Sequence, residues 1–298
     1  MLPPAKPRFL MCAPKHFAVT YTINPWMDPI AWACDAQELA SQSKREWDVL
    51  RKSLIGCGAD VELVPPRPGK PDMVFTANAA VVLDGKVLLA RFRHPQRQLE
   101  QPAFAKAFRA LQTRGIIDVV HELPPRLVLE GAGDCIWDRS RSLFWMGYGQ
   151  RSEAAARGTV AEVFGVEVMP LELVTPRFYH LDTAMCVLSR GEVIYFPSAF
   201  SHASRDAFEE RVEPHARIVV SADDARQLAA NAVCIDTTLL LSACSDRLRA
   251  QVQERGYRVV ATPLSSFLRS GGAAFCLTLR LDCRSGDVGI RVDDAAAA

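Results

Sequence analysis

"NAAVVLDGKVLLARF", residues 78–92, holds two apolar runs on either side of Asp84-Gly85. An Asp-Gly pair suits a two-residue type I′ turn, so the stretch predicts a β-hairpin led by Asn78. Four more segments repeat the design of a small or polar residue leading into an apolar run: "DCIWDRSRSLFWMGY" (134–148), "DTAMCVLSRGEVIYF" (182–196), "NAVCIDTTLLLSAC" (231–244) and "AAFCLTLRLD" (273–282). Between them lie helix-patterned stretches, including 36–58, 96–115 and 245–256, and strand-like runs at 59–66, 117–125, 166–174, 217–221 and 257–264. In 96–115 the helical spacing places Leu99, Phe104, Phe108 and Leu111 on one face. The unit is hairpin, helix, strand, recurring at roughly 45–56 residues. Five such units predict an α/β fold, a five-fold pseudo-symmetric β/α propeller of ββαβ units with its helices outside. One catalytic domain over residues 1–292 is expected, with "DDAAAA" (293–298) as a solvated tail.

Composition excludes several function classes. Net charge is +1 with cations and anions interspersed, which argues against nucleic acid or a membrane surface as partner. The opening "MLPPAKPRFLMCAP" lacks a signal-peptide core, and no apolar run is long enough to span a bilayer. The nine cysteines have no C-x-x-C spacing, so reduced thiols in a cytoplasmic protein are expected, with no metal and no cofactor. A homo-oligomer is compatible with the sequence, which does not give the oligomeric state.

In a ring of such units, the loops leading into the hairpins meet at one end. The leaders are Asn78, Asp134, Asp182, Asn231 and the neighbourhood of Cys276. Two glycines and two alanines precede Cys276, and Gly271 and Gly272 are expected to let a ligand approach the backbone there. A free thiol needs activation, and "FYHLDT" (178–183) offers a base in His180. In an extended segment Asp182 projects on the same side as His180. "EGAGD" (130–134) adds Glu130 and Asp134. Clustered acids serve a metal, a proton-transfer pair or a cationic substrate. With His180 as the one evident nitrogen ligand a metal fits poorly. A guanidinium suits both acids and thiol, because its fork matches carboxylates and its charge favours thiolate.

Together, "PDMVFTANA" (71–79), "EGAGD", "FYHLDT" and "GGAAFCLTLRL" (271–281) resemble the guanidino-group-modifying, or amidinotransferase-like, superfamily, whose fold is the pentein propeller. "FLMCAPKHF" and "INPWMD" near the start make the arginine dihydrolase branch, which takes arginine to ornithine, the nearest likeness. The resemblance implies Cys276 as nucleophile, His180 as general acid–base and Glu130 as its brace or a contact of the guanidinium. It implies Asp182 and Asp134 as grips on guanidinium nitrogens, and Asn78 where methylarginine hydrolases carry an acid. Arg91 and Arg151 would hold the substrate carboxylate, Asp72 its α-amino group, and Asn24 would line the pocket. Phe275 and Ala184 depart from the branch, where a basic and a more polar residue are usual. The expected partner is a small guanidino compound, arginine or a derivative. Hydrolysis to citrulline, dimethylarginine hydrolysis, amidinotransfer and an inactive arginine-binding propeller are the alternatives. Asp182 favours an unmethylated guanidinium, since the methylarginine hydrolases of the superfamily lack the second acid of H-x-D.

Overall fold

In the computed structural model, which describes residues 6–286, the four internal hairpins form where the sequence places them. The strands are β1 (Arg8–Cys12), β2 (Asp60–Val64), β3 (Ala80–Leu83), β4 (Lys86–Leu89), β5 (Val119–Glu122), β6 (Cys135–Asp138), β7 (Leu143–Tyr148) and β8 (Glu167–Glu172). They continue with β9 (Met185–Val187), β10 (Val193–Tyr195), β11 (Arg217–Val219), β12 (Val233–Ile235), β13 (Thr238–Leu241), β14 (Arg258–Ala261) and β15 (Leu279–Arg280). They make five three-stranded sheets: β3-β4-β5, β6-β7-β8, β9-β10-β11, β12-β13-β14 and β15-β1-β2. In each, an antiparallel pair is extended by one parallel strand.

Parallel neighbours need a crossover, and a helix supplies it each time: Ala36–Gly56, Gln101–Thr113, Arg157–Phe164, His202–Arg211 and Asp246–Glu254. The first hairpin closes through Asp84 at φ 52° and Gly85 at φ 72°, the positive pair that a type I′ turn demands. Ser245 caps its helix by accepting from the backbone N–H of Leu248.

Two expectations are corrected. Residues 96–115 are not one helix but a turn at Pro95–Gln98 followed by Gln101–Thr113, and Leu99 stands exposed between them. Pro102 is the reason for the break: its ring is at home in a helix's first turn and opposes continuation from the turn before. The fifth sheet is not built from consecutive segments, because β15 pairs antiparallel with β1, Phe9 opposite Arg280. The predicted tail at 293–298, with the domain boundary at 292, lies outside the described residues. Among the described residues no helix is long and apolar enough to cross a membrane.

Three of the hairpins are entered through one turn of 3₁₀ helix, at Thr76–Ala79, Gly131–Gly133 and Leu181–Thr183. These turns touch in sequence, the first against the second and the second against the third. Asn231, leading β12, reaches Asp182 and Cys276, and the Cys276 carbonyl accepts from the Ala77 N–H at 3.2 Å.

Glu46 ties the helix Ala36–Gly56 to the short helix Ser265–Leu268, which precedes the Cys276 loop in the chain. Its buried carboxylate accepts from the N–H and hydroxyl of both Ser265 and Ser266, and from Gln42 Nε2. Glu46→Ala strands these donors and is expected to cost about 2–3 kcal/mol, seen as a lower urea midpoint with an unchanged slope.

Candidate active site

The strand entrances place their polar side chains against one another with almost no exposure to solvent. Gly131, at φ 65°, lets the 130–134 turn lie on the 76–79 turn, since a Cβ there would sit 2.6 Å from the Ala77 carbonyl oxygen. At Gly133 a Cβ would fall 2.2 Å from Asn78 Nδ2. A side chain at either place would push Asn78 and Glu130 apart.

Glu130 is the hub of one cluster. Its Oε2 accepts from Arg151 Nη1 at 2.9 Å and faces His180 Nε2 at 2.7 Å, while Oε1 accepts from the Arg93 N–H at 3.0 Å. Burial by itself would raise its pKa, but the Arg151 charge and the His180 hydrogen bond hold the carboxyl well below the usual range. Asn78 sets the tautomer of His180. Its Oδ1 accepts from Arg97 Nη1 at 2.7 Å, and arginine only donates, so Nδ2 must face His180 Nδ1, at 3.4 Å. Nδ1 is therefore the acceptor, and the ring proton sits on Nε2 toward Glu130. Asp134 accepts from Ser152 Oγ at 2.6 Å and the Leu181 N–H at 3.0 Å, and burial pushes its carboxyl up to about 6.

A second cluster surrounds the thiol. Cys276 Sγ donates to Asp182 Oδ2 at 2.9 Å and accepts from Asn231 Nδ2 at 3.1 Å. Burial first, then the Asp182 charge, raises the thiol well above its ordinary pKa. Burial likewise pushes Asp182 up to about 7. Its other oxygen, Oδ1, is buried and has no hydrogen-bond partner among the described residues. Such an atom is costly to leave unmatched. The two clusters are two residues apart along the chain, through His180-Leu181-Asp182.

Asp72 is buried, accepting from Tyr21 at 2.8 Å and from Ser270 Oγ at 3.4 Å. Asn24 donates to the Ser270 carbonyl at 3.1 Å. Arg151, besides Glu130, donates to the Ile23 carbonyl at 3.0 Å and lies over the Tyr179 ring. Arg91 Nη2 donates to the Leu123 carbonyl at 3.0 Å, at the start of the loop after β5, while its backbone pairs with Leu129, the residue before Glu130. The space at the glycines is also filled differently from expectation. A Cβ on Gly271 would meet the rings of Trp26 and Tyr179, and one on Gly272 the ring of Phe75, so these glycines admit the protein's own aromatics. Phe275 packs on the core and Ala184 is fully buried. Among the described residues no group of three or more His, Cys, Asp or Glu is arranged to hold a metal.

Arg97 was not legible as a site residue, yet its buried guanidinium joins Asn78, the Asp72 carbonyl and, through two hydrogen bonds, Glu100. The one signal for it was an acid three residues on, the spacing of a helical ion pair.

Comparison with known proteins gives this geometry a lineage. The family described as N,N dimethylarginine dimethylhydrolase, eukaryotic, matches residues 13–282. The bifunctional arginine dihydrolase/ornithine cyclodeaminase ArgZ of Synechocystis sp. is 43% identical over 92% of this chain, which spans only 37% of that protein's length. The N(G),N(G)-dimethylarginine dimethylaminohydrolase of Mycobacterium tuberculosis is 37% identical, over 93% of this chain and 87% of that protein. The N-terminal domain of ArgZ, solved covalently bound to a reaction intermediate, superposes with a TM-score of 0.86 at 40% identity, covering 94% of this chain and 99% of that one. This chain belongs to the dimethylarginine dimethylaminohydrolase family of the guanidino-modifying pentein superfamily, near its arginine dihydrolase branch.

Proposed function

We propose that this chain is a cofactor-independent hydrolase of the arginine guanidino group, carrying arginine to ornithine, carbon dioxide and ammonia. The observation that carries the reading is Oδ1 of Asp182, a buried carboxylate oxygen without a donor among the described residues, beside the thiol of Cys276. A planar cation with several N–H donors satisfies that oxygen and brings an electron-poor carbon to the sulfur. The likeness to an arginine dihydrolase domain that forms a covalent intermediate supports the same chemistry.

In this mechanism the bound guanidinium lowers the cost of ionising Cys276. The proton that Cys276 gives up is carried to His180 Nδ1, the acceptor nitrogen of the ring; the thiolate adds to the guanidinium carbon, and the imidazolium returns that proton to the departing nitrogen as general acid. Ammonia leaves a thiouronium ester. His180, braced by Glu130, then activates water, which releases citrulline and frees the sulfur. A second hydrolysis at the ureido carbon completes the path to ornithine. There Asn78 matters, because an amide donates to a ureido oxygen that a carboxylate would repel. Arg97 and Arg151, buried against Asn78 and Glu130, take the part expected of Arg91 and Arg151, holding the α-carboxylate. Asp72 receives the α-ammonium, and Asn24 lines the pocket. The chain works as one catalytic domain over residues 1–292, in the cytoplasm, with the five sheets set around a pseudo-five-fold axis. The chain of contacts from the 76–79 turn through 131–133, 181–183, Asn231 and Cys276 back to Ala77 supports that arrangement. A second reading, dimethylarginine hydrolysis, is favoured by the M. tuberculosis relative.

Separate incubations with arginine, citrulline and dimethylarginine, with ornithine, citrulline and ammonia quantified, decide between these. Ornithine from arginine is expected. Release of dimethylamine from dimethylarginine as the main reaction selects the second reading, and no turnover of any of the three refutes both. Cys276→Ser should lower turnover by more than about a thousandfold. Asn78→Asp should release citrulline as the principal product; ornithine formed at the parent rate would remove the amide from the second step.

Asp182 gives a pH signature. Its folded-state pKa is raised to about 7, so its contribution to stability is complete below the unfolded value of about 3.9 and is lost as pH rises through 7. Asp182→Asn should therefore gain stability relative to the parent between pH 5 and 8, measured by urea midpoints. Arginine binding should release protons at pH 6–7, measured by calorimetry in two buffers of different ionisation enthalpy.

A further inference from the structure

Asn231 has no role in the chemistry described so far, although the thiol rests on it. It leads β12, is fully buried, and has every hydrogen-bonding position of its side chain occupied. Its Oδ1 accepts from two N–H groups of the nucleophile loop, Ala273 at 3.0 Å and Cys276 at 3.1 Å. Its Nδ2 divides its two protons between the Asp182 carbonyl at 2.9 Å and Cys276 Sγ at 3.1 Å. The Asn231 backbone carbonyl also accepts from the Phe275 N–H at 3.3 Å. One side chain thus holds the loop, the segment bearing the acid, and the reacting atom.

The two halves of that amide do different work. The carbonyl half fixes the backbone from which Cys276 projects, a positioning task that any acceptor of the same shape performs. The N–H half points at sulfur, and its partner changes character during the reaction: a thiol is a weak acceptor, a thiolate a strong one. A donor held at this place favours the ionised form and keeps its lone pair directed away from Asp182. Asp182 is the opposing influence, since its carboxylate accepts the S–H proton and resists a second negative charge. Two further titratable side chains face the loop: the Tyr179 hydroxyl donates to the Gly271 carbonyl at 2.9 Å, and Asp72 accepts from Ser270 Oγ at 3.4 Å.

We propose that Asn231 is a catalytic residue, donating a hydrogen bond to the Cys276 sulfur that stabilises its thiolate while its carbonyl fixes the nucleophile loop. The proposal rests on the reading of Cys276 as a nucleophile, but its test does not require turnover. The rate of iodoacetamide alkylation of Cys276, followed by mass spectrometry of the peptide that carries it, reports thiolate population directly as a function of pH.

Asn231→Asp keeps both acceptor contacts and removes the donor; Asn231→Ser is smaller, uncharged and keeps a single hydroxyl. The alkylation profile of Asn231→Asp should move alkaline by at least about one pH unit, a tenfold loss of thiolate at fixed pH. Asn231→Ser should move the same way by less. With arginine as substrate, kcat should fall at least tenfold in Asn231→Asp while KM stays within about threefold. A folded variant of either kind that alkylates with the parent profile overturns the proposal. Turnover by the parent with parent-like alkylation in the variants would sink the role of Asn231 and leave the proposed function standing. An alkaline shift in a protein inert to arginine would do the reverse.

Discussion

The Glu130 carboxylate is the constraint on which the site depends. It is a full negative charge with no contact with water, held by Arg151, by the His180 ring and by a backbone N–H from Arg93. Those partners come from three different stretches of chain, so the ion can be buried only when all three have arrived. Removing one member of such a set leaves a charge in a medium that cannot solvate it, commonly at a cost of about 3–5 kcal/mol. The requirement explains why Gly131 and Gly133 stand beside it: the turns must come within backbone contact distance before Arg151 and His180 reach the same oxygen.

Two kinds of carboxyl share this interior. Glu130 is kept ionised by the cations around it, whereas burial pushes Asp182 and Asp134 upward, to about 7 and about 6. Environment alone separates them, since the three groups have nearly the same intrinsic acidity. The separation leaves one carboxyl ionised against an imidazole and two others whose ionisation a neighbouring cation would favour.

Much of this was legible in the sequence, and the remainder was hidden for physical reasons. Asp84-Gly85 announced a hairpin because its turn is a two-residue event. Asn78, Asp134, Asp182 and Cys276 were legible because each stands at the entrance of a repeated hairpin, and Glu130 and His180 because they lie in the loops that lead to Asp134 and Asp182. Arg97 was not, because "RHPQRQ" looks like a solvated basic run; in the short helix Pro95–Gln98 it alone is buried, its neighbours standing exposed. Arg91, expected from the resemblance to hold a carboxylate, donates to the Leu123 carbonyl. The aromatic filling at Gly271 and Gly272 also escaped notice, since Trp26, Phe75 and Tyr179 are distant in sequence and periodicity carries no information about which ring meets which backbone.

The pairing of β1 with β15 has a temporal consequence. Arg8–Cys12 leaves the ribosome early, yet its antiparallel partner Leu279–Arg280 follows only after the other four sheets have been synthesised. Closing so long a loop costs little more entropy than closing a medium one, but such distant pairings are slow to form. The segment that completes the fifth sheet also carries Cys276, just ahead of β15, so one long-range pairing closes the sheet and places the sulfur.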